Sequence, residues 1–381
     1  MSRIRNFRLL VFLFVLFVLF VLFKPTISNE KHFVYLAYSF LQGSISLVKL
    51  PSILTDFSYF NGQYFSPLGP LPAIIMIPVV LLFGINFPEQ IIKLPLSIIN
   101  FWIIYKIATT LKLSPNKSLA LAAFFIFGSV YTPIAAISSS TYFSQVVTTS
   151  FLLFALYEFL HQKRWALIGA AIALAFLTRA TALFTSVFFV IFLIQKSPRF
   201  ANLAKFVTPI IGALILMMSY NYARFGDFFE TGYRYQIVLE ESAKKRDVGL
   251  FSIKHVGTNI YYMLFKTPDL LPHFPFLRFN DYGMSIFILS PVLILIFKAN
   301  FKSKLVKVSL MTILVTLIPI ITYYGIGVKQ IGYRYALDFA PFVLIILVSA
   351  FKKVDETLIY FLTVLGFFIT WVFIFETLAN F

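Results

Sequence analysis

The chain has 381 residues, of which 60% are apolar and 12% are charged. A soluble domain is closer to half apolar and a quarter charged, so this composition predicts a polytopic membrane protein. The absence of cysteine excludes disulfides, thiol catalysis and cysteine-ligated metals, and four scattered histidines disfavour a histidine-rich metal site.

The first predicted element is an apolar run over residues 9–23, which follows three arginines, Arg3, Arg5 and Arg8. Basic residues before an apolar run also occur in signal peptides, but no small-x-small cleavage site follows this one. The pattern therefore predicts an uncleaved first span with its N-terminus in the cytoplasm.

Ten further apolar runs predict spans, if shorter ones are allowed where protein covers their ends. They cover residues 92–111, 119–138, 143–160, 165–179, 182–195, 204–221, 284–298, 306–325, 338–351 and 357–375. Eleven spans in all place the C-terminus outside. The apolar stretch 71–86 is predicted to be a juxtamembrane or half-inserted helix, because counting it as a span would invert every later loop.

The distribution of charge agrees with this topology. The predicted inner segments hold 17 of the 32 Lys and Arg residues and three carboxylates, so they carry +14 of the net charge of +17. Cytoplasmic loops of membrane proteins are enriched in Lys and Arg in this way. We therefore predict a multi-pass protein of the cytoplasmic membrane, with the lipid bilayer as a partner and no role in nucleic-acid binding.

Two long segments, 24–91 and 222–283, fall on the outer side of the predicted membrane. Both contain apolar residues at helical spacing, which predicts helices along the outer membrane surface. These residues are Phe33, Leu36, Phe40 and Leu41 in the first segment, and Ile253, Val256, Ile260 and Leu264 in the second. Neither segment could bury a core of its own, so residues 1–381 are predicted to form a single membrane-embedded domain.

The first outer segment carries an isolated carboxylate, Asp56, in the stretch LTDFSYFNGQYFSPLGPLP. A solvated loop carboxylate beside the Asn61-Gly62 turn would explain this residue. However, Asp56 lies among aromatic residues at a membrane surface, where partial desolvation would make it a better general base.

Arginines and tyrosines collect at the outer ends of later spans. Arg179 lies between two short spans, and residues 219–236 and 328–342 are rich in polar side chains, with the tetrapeptide GYRY in each. Arg334 and Asp338 are four residues apart, so an intrahelical ion pair competes with ligand binding as an explanation.

Sugar transfer from a polyprenyl-phosphate carrier needs this set of groups. The phosphate leaves as a weak base, so one carboxylate that deprotonates the acceptor hydroxyl suffices. Arginines would hold the phosphate and stabilise its developing charge, and tyrosines would contact the sugar.

Several blocks of the chain also resemble the C-type glycosyltransferase superfamily (GT-C fold), in particular its bacterial protein O-mannosyltransferase and aminoarabinose-transferase-like multispan members. The blocks are HFVYLAYSFLQGSISL, DFSYFNGQYFSPLGPLPAIIMIPVVLLFG, STYFSQVVTTSFLLFALYEF, GAAIALAFLTRATALF, YNYARFGDFFETGYRY and GYRYALDFAPF. The resemblance implies an all-α polytopic membrane protein with juxtamembrane helices in the first outer loop.

The resemblance also implies roles for residues. Asp56 matches the aspartate expected to be the catalytic base, and Arg179 and Arg334 match arginines expected near the carrier phosphate. Further candidates for the substrate pocket are Glu30, His32, Tyr64, Arg224, Tyr233, Arg234, Lys329 and Tyr335. The expected partners are a polyprenyl-phosphate sugar donor and a glycan, lipid or protein acceptor.

The chain departs from the family pattern at three points. Asn29-Glu30 keeps half of an acidic pair, Gln145 stands where some relatives have histidine, and no Asp-x-Asp motif follows the third span. A divalent metal is therefore not supported by motif. The alternatives to a transferase are a multispan transporter or lipid-linked-sugar flippase, and a polysaccharide polymerase or ligase of another multispan family.

Overall fold

The computed structural model describes residues 31–195, 200–273, 276–328 and 330–379, which are mainly helical. Their α-helices are α1 His32–Leu41, α2 Leu71–Phe83, α3 Gln90–Thr110, α4 Pro115–Phe127, α5 Tyr131–Ala136, α6 Ser140–His161, α7 Trp165–Thr178, α8 Ser186–Ile194, α9 Phe200–Phe225, α10 Glu240–Asp247, α11 Val256–Ile260, α12 Ile286–Leu289, α13 Lys304–Thr322, α14 Ala340–Phe351 and α15 Glu356–Ala379. The 3₁₀ turns are Ala180–Thr185, Tyr233–Tyr235, Ile253–His255, Pro291–Lys298 and Arg334–Asp338, and a π turn covers Tyr261–Phe265.

Two short antiparallel hairpins interrupt the helices. β1 Ser58–Phe60 pairs with β2 Gln63–Phe65, and β3 Asp269–Leu270 pairs with β4 Leu277–Arg278. Asn61 and Gly62 connect β1 to β2 with φ angles of 48° and 79°. Positive φ at both central residues is typical of the tight hairpin turn that Asn-Gly favours, so the turn expected there is confirmed.

Within the described residues, five helices are long and apolar enough to cross a membrane, namely α3, α6, α9, α13 and α15. They correspond to five of the predicted spans, and the shorter helices α7 and α14 correspond to two more. The prediction of a helical multispan membrane protein is confirmed. The first predicted span, over residues 9–23, lies outside the described residues.

Three predicted spans are not continuous helices. The run 119–138 breaks at Gly128, where a Cβ would lie 2.9 Å from the backbone of α15, so the glycine allows a close helix crossing. The run 284–298 breaks before Pro291, because the proline ring disfavours helical backbone angles at the preceding residue, Ser290. The run 182–195 begins as a 3₁₀ turn and becomes α-helical only in α8.

The main apolar core lies between the helices from α3 to α9 and from α12 to α15. α6 is central, since 72% of its apolar window is buried, whereas only 17% of the corresponding window of α9 is buried. An apolar helix that buries so little of its surface against protein is suited to face lipid.

The first outer segment packs inward. Phe33 and Leu36 of α1 are fully buried with Met76 of α2 and Phe143 of α6. α1 is thus helical as expected, and its buried apolar face contacts protein. In the second outer segment the amphipathic pattern is divided between two turns and α11, and Ile253 is 84% exposed.

Candidate active site

Asp56 is held where the two long outer segments meet. Its backbone N–H donates to the carbonyl of Ile237 at 2.8 Å, and the N–H of Ile237 donates to the carbonyl of Phe57 at 2.8 Å. Ser58 and Gln236 form an antiparallel β-bridge beside them. Residues about 180 positions apart in the chain are joined by main-chain hydrogen bonds, which fix the position of the aspartate backbone.

Two glycines permit this junction. At Gly232, which has φ +92°, a Cβ would lie 2.5 Å from the ring of Phe225, and its carbonyl accepts a 2.7 Å hydrogen bond from Ser58 Oγ. At Gly69, a Cβ would lie 2.1 Å from the carbonyl oxygen of Leu177. The Pro-Leu-Gly-Pro stretch therefore rests directly on the end of α7, one residue before Arg179.

The backbone of Asp56 is unusual, and its side chain has a specific neighbour. The residue has φ 69°, a left-handed conformation that costs energy in most residues and less in aspartate or asparagine. Gln236 Nε2 donates to Asp56 Oδ1 at 3.2 Å and to the Asp56 carbonyl at 3.1 Å. The carboxylate is half-buried, and its partner in this hydrogen bond is a neutral amide.

Arg334 opens the 3₁₀ turn before α14 and is placed by one long-range and one local hydrogen bond. Its Nη1 donates to Thr141 Oγ1 at 3.1 Å, and its backbone N–H donates to Gln330 Oε1 at 3.2 Å. The guanidinium lies 5.6 Å from the ring centroid of Tyr142 and 5.3 Å from that of Tyr335. Its Nε is buried without a hydrogen-bond partner among the described residues.

Asp338 pairs with Arg179, not with Arg334. Arg179 Nε and Nη2 donate to the two carboxylate oxygens at 2.9 and 3.0 Å, and Thr181 Oγ1 donates to Oδ2 at 2.6 Å. The intrahelical pair considered from the sequence does not form, because a 3₁₀ turn has three residues per turn and separates positions i and i+4. No ion pair of Arg334 occurs within the described residues.

Tyrosines connect these charged groups. The ring of Tyr335 lies 5.4 Å from the Arg179 guanidinium and 5.3 Å from that of Arg334. Burial raises the pKa of Tyr233 to about 12, with Arg179 opposing the shift and Asp56 among the groups that add to it. Asp56 also contributes to the electrostatic environment of Arg334. Asp56, Arg179, Arg334, Tyr233 and Tyr335 therefore form one cluster, which we call the Asp56 cluster.

Two other candidates lie near the aspartate without joining the cluster's contacts. The His32 ring is fully buried, 3.9 Å from the ring centroid of Phe57, and burial lowers its pKa to about 3. His32 is therefore neutral at physiological pH. Tyr64 packs against Tyr59 on the β1–β2 hairpin, at 4.9 Å between ring centroids.

The remaining candidates separate into a structural residue, an exposed residue and two undescribed ones. Arg224 is buried, and its guanidinium donates to the carbonyl of Ser66 and to Asn221 Oδ1, so it joins α9 to the first outer segment. Arg234 is exposed. Glu30 and Lys329 lie outside the described residues.

Reasoning from the sequence did not single out Glu89, which organises the first outer segment. Its Oε1 accepts from the backbone N–H groups of Phe33 and Val34, both at 3.1 Å, and its Oε2 accepts from Ser140 Oγ at 3.0 Å. The carboxylate thus caps the N-terminus of α1 and joins it to α6. Burial raises the pKa of Glu89 to about 7. Its only signal in the sequence is a lone carboxylate at the outer end of a span.

Two cavities lie near the Asp56 cluster, although no residue of the cluster lines either of them. One, of about 350 Å³, is lined by Tyr324 together with Lys244, Lys245 and Lys254. The other, of about 200 Å³, has an almost wholly apolar lining that extends from Ala336 and Phe339, next to Arg334, between α13 and α14. Among the described residues, no three His, Asp or Glu side chains are grouped so that they could hold a metal ion.

Neither a family model nor a curated protein matches the chain. A search of solved structures finds the crystal structure of the Archaeoglobus fulgidus oligosaccharyltransferase in the apo form, with 14% sequence identity and a TM-score of 0.42. The match covers 98% of this chain and 55% of that chain, so this chain spans about half the length of the archaeal protein.

Proposed function

We propose that the protein is an inverting membrane glycosyltransferase that moves a sugar from a polyprenyl-phosphate donor to an acceptor hydroxyl at the outer face of the cytoplasmic membrane. The observation that carries the proposal is that Arg334 forms no ion pair within the described residues. Arg334 is partly buried within the electrostatic influence of Asp56, and Asp338, the carboxylate nearest to it in sequence, is paired with Arg179. A partly buried cation without a carboxylate partner among the described residues is suited to bind an anion.

The donor phosphate would bind Arg334 through its Nε and Nη groups. Arg179 uses Nε and Nη2 on Asp338, which leaves its Nη1 to face the same phosphate across the ring of Tyr335. Both cations would stabilise the charge that develops on the phosphate as its bond to the sugar breaks. Because a phosphate monoester is a weak base, no general acid is needed.

Asp56 would act as the general base. It takes the proton from the acceptor hydroxyl as the acceptor oxygen attacks the anomeric carbon from the face opposite the phosphate. The bond between that carbon and the phosphate oxygen breaks, and the polyprenyl phosphate leaves with the electron pair. One displacement of this kind inverts the anomeric configuration.

The two cavities support the division into donor and acceptor. The apolar cavity beside Ala336 and Phe339 would take the first isoprene units of the carrier, since it begins at the turn that holds Arg334. The cavity beside Tyr324 would admit the acceptor, a glycan, lipid or protein, because Tyr324 is linked through Gln236 to Asp56.

Purified protein incubated with a panel of polyprenyl-phosphate sugars tests the proposal. Asp56→Asn should lower the rate of sugar transfer by about 100-fold or more, the contribution of a general base. Asparagine tolerates the left-handed backbone at this position, so the fold should persist. Asp247→Asn, an exposed position at the end of α10, is the matched control and should keep full activity. Full activity of Asp56→Asn would overturn the proposal, and movement of an intact donor across the membrane would favour a transporter or flippase.

A further inference from the structure

Gln236 forms a hydrogen-bonded bridge between Asp56 and Tyr324. Its Nε2 donates to Asp56 Oδ1 at 3.2 Å, and its Oε1 accepts from the Tyr324 hydroxyl at 3.2 Å. Hydrogen-bonding chemistry decides which end of the amide faces Asp56. An ionised carboxylate can only accept hydrogen bonds, so the NH₂ group must face it. The phenol then donates to the remaining amide oxygen.

The bridge is anchored at several points. The same Nε2 also donates to the backbone carbonyl of Asp56 at 3.1 Å, and Arg246 Nη1 donates to the carbonyl of Gln236 at 2.6 Å. Gln236 is 9% exposed, and its backbone forms the β-bridge with Ser58. A buried side chain with this many partners has a single orientation.

We propose that Gln236 is a positioning residue that holds the Asp56 carboxylate in its reactive orientation and supports its ionised form as a neutral donor. This inference rests on the proposed role of Asp56 as the base. A cation in place of the amide would neutralise the carboxylate in an ion pair and weaken it as a base. A second carboxylate would compete with it for a proton. The neutral amide does neither, and Tyr324 prevents it from turning its oxygen toward Asp56.

The test is the pH dependence of kcat/KM for sugar transfer in the full-length enzyme. In Gln236→Glu, two carboxylates would lie about 3 Å apart and share one proton, so the acidic limb of the profile should move up by one pH unit or more. Gln63→Glu, an exposed position at the tip of the β1–β2 hairpin that follows Asp56, is the matched control, and its profile should superimpose on that of the wild type.

Tyr324→Phe keeps the ring and removes only the hydroxyl, so it tests the bridge if Gln236→Glu does not fold. It should lower kcat about 3- to 10-fold with little change in the donor KM, the range for one hydrogen bond. An unshifted profile in folded Gln236→Glu, or a wild-type kcat in Tyr324→Phe, would overturn the inference. If Asp56→Asn is inactive in the same assay, such a result contradicts only the role proposed for Gln236. If Asp56→Asn is active, the proposed function itself is contradicted.

Discussion

Arginine occurs in both copies of the tetrapeptide GYRY, and the two copies have different surroundings. Arg334 is partly buried against two tyrosine rings and Thr141, whereas Arg234 is exposed. The repeated letters therefore do not imply repeated roles. Burial and the neighbouring aromatic rings support the proposal that Arg334, and not Arg234, binds the anion.

Replacement of these two arginines by lysine should separate their roles. Lysine keeps the charge but cannot form the bidentate contact with phosphate, so Arg334→Lys should lower kcat/KM for the donor by about 10- to 100-fold. Arg234→Lys should change it less than twofold. Steady-state kinetics with a polyprenyl-phosphate sugar would measure both values, and equal effects of the two changes would contradict the assignment of Arg334.

Because the His32 ring is buried, we expect the stability of the fold to depend on pH. Its pKa is lowered from 6.5 to about 3 by burial, so the unfolded chain binds more protons than the folded chain between these values. Stability should therefore fall as the pH drops below about 6.5, by about 1.4 kcal/mol per pH unit, or about 2 kcal/mol at pH 5. In detergent, the Tm of the wild type should drop more between pH 7 and pH 5 than that of His32→Gln, which cannot titrate. Parallel curves would show that His32 is not the responsible group.

Reasoning from the sequence could find the charged members of the site but not its bonding. Asp56, Arg179 and Arg334 stand out because a charge at the outer end of an apolar span is unusual. The partner of Asp338 could not be read in this way, since Arg179 lies 159 residues away and only the folded chain brings the two together. Gln236 is an ordinary polar residue in a polar segment, and its contact with Asp56 spans 180 residues.

At the scale of elements, apolar length predicted where helices lie but not where they break. α3 and α6 match predicted spans closely, because a run of about 20 apolar residues suits one helix that crosses the bilayer. The break at Gly128 depends on the approach of α15, which follows more than 200 residues later. The inward packing of α1 depends on Glu89 and α6, which are equally remote from its own pattern.

The contact between the first outer segment and α7 should be needed for both stability and activity. A Cβ at Gly69 would lie 2.1 Å from the Leu177 carbonyl oxygen, so Gly69→Ala must push the segment away from Arg179. We expect a loss of stability of about 1–3 kcal/mol, the usual range for overpacking, and a reduced transfer rate. Gly212→Ala, on α9 with no atom within 4 Å of the added Cβ, should leave activity unchanged and keep or slightly raise the Tm. Thermal unfolding and the transfer assay measure both variants, and a fully active, equally stable Gly69→Ala would rule out this close contact.

For the whole molecule, the proposed chemistry requires that the Asp56 cluster and the basic loops lie on opposite sides of the membrane. A lipid-linked donor used at the outer face must meet Asp56 and Arg334 there, while the basic segment 298–307, which joins the Pro291–Lys298 turn to α13, stays in the cytoplasm. The sequence has no cysteine, so a single introduced cysteine is the only thiol in the chain and reports its own side.

Labelling of two such variants with a membrane-impermeant maleimide tests this orientation. Gln63→Cys, exposed at the tip of the hairpin that follows Asp56, should react in intact cells. Lys302→Cys, exposed before α13, should react only after the membrane is permeabilised. Both substitutions replace exposed side chains, so a difference in labelling reports sidedness rather than burial. The reverse pattern would place Asp56 in the cytoplasm, where sugar donors are commonly soluble nucleotide sugars, and a site built from Arg334 and an apolar cavity would then need a different substrate.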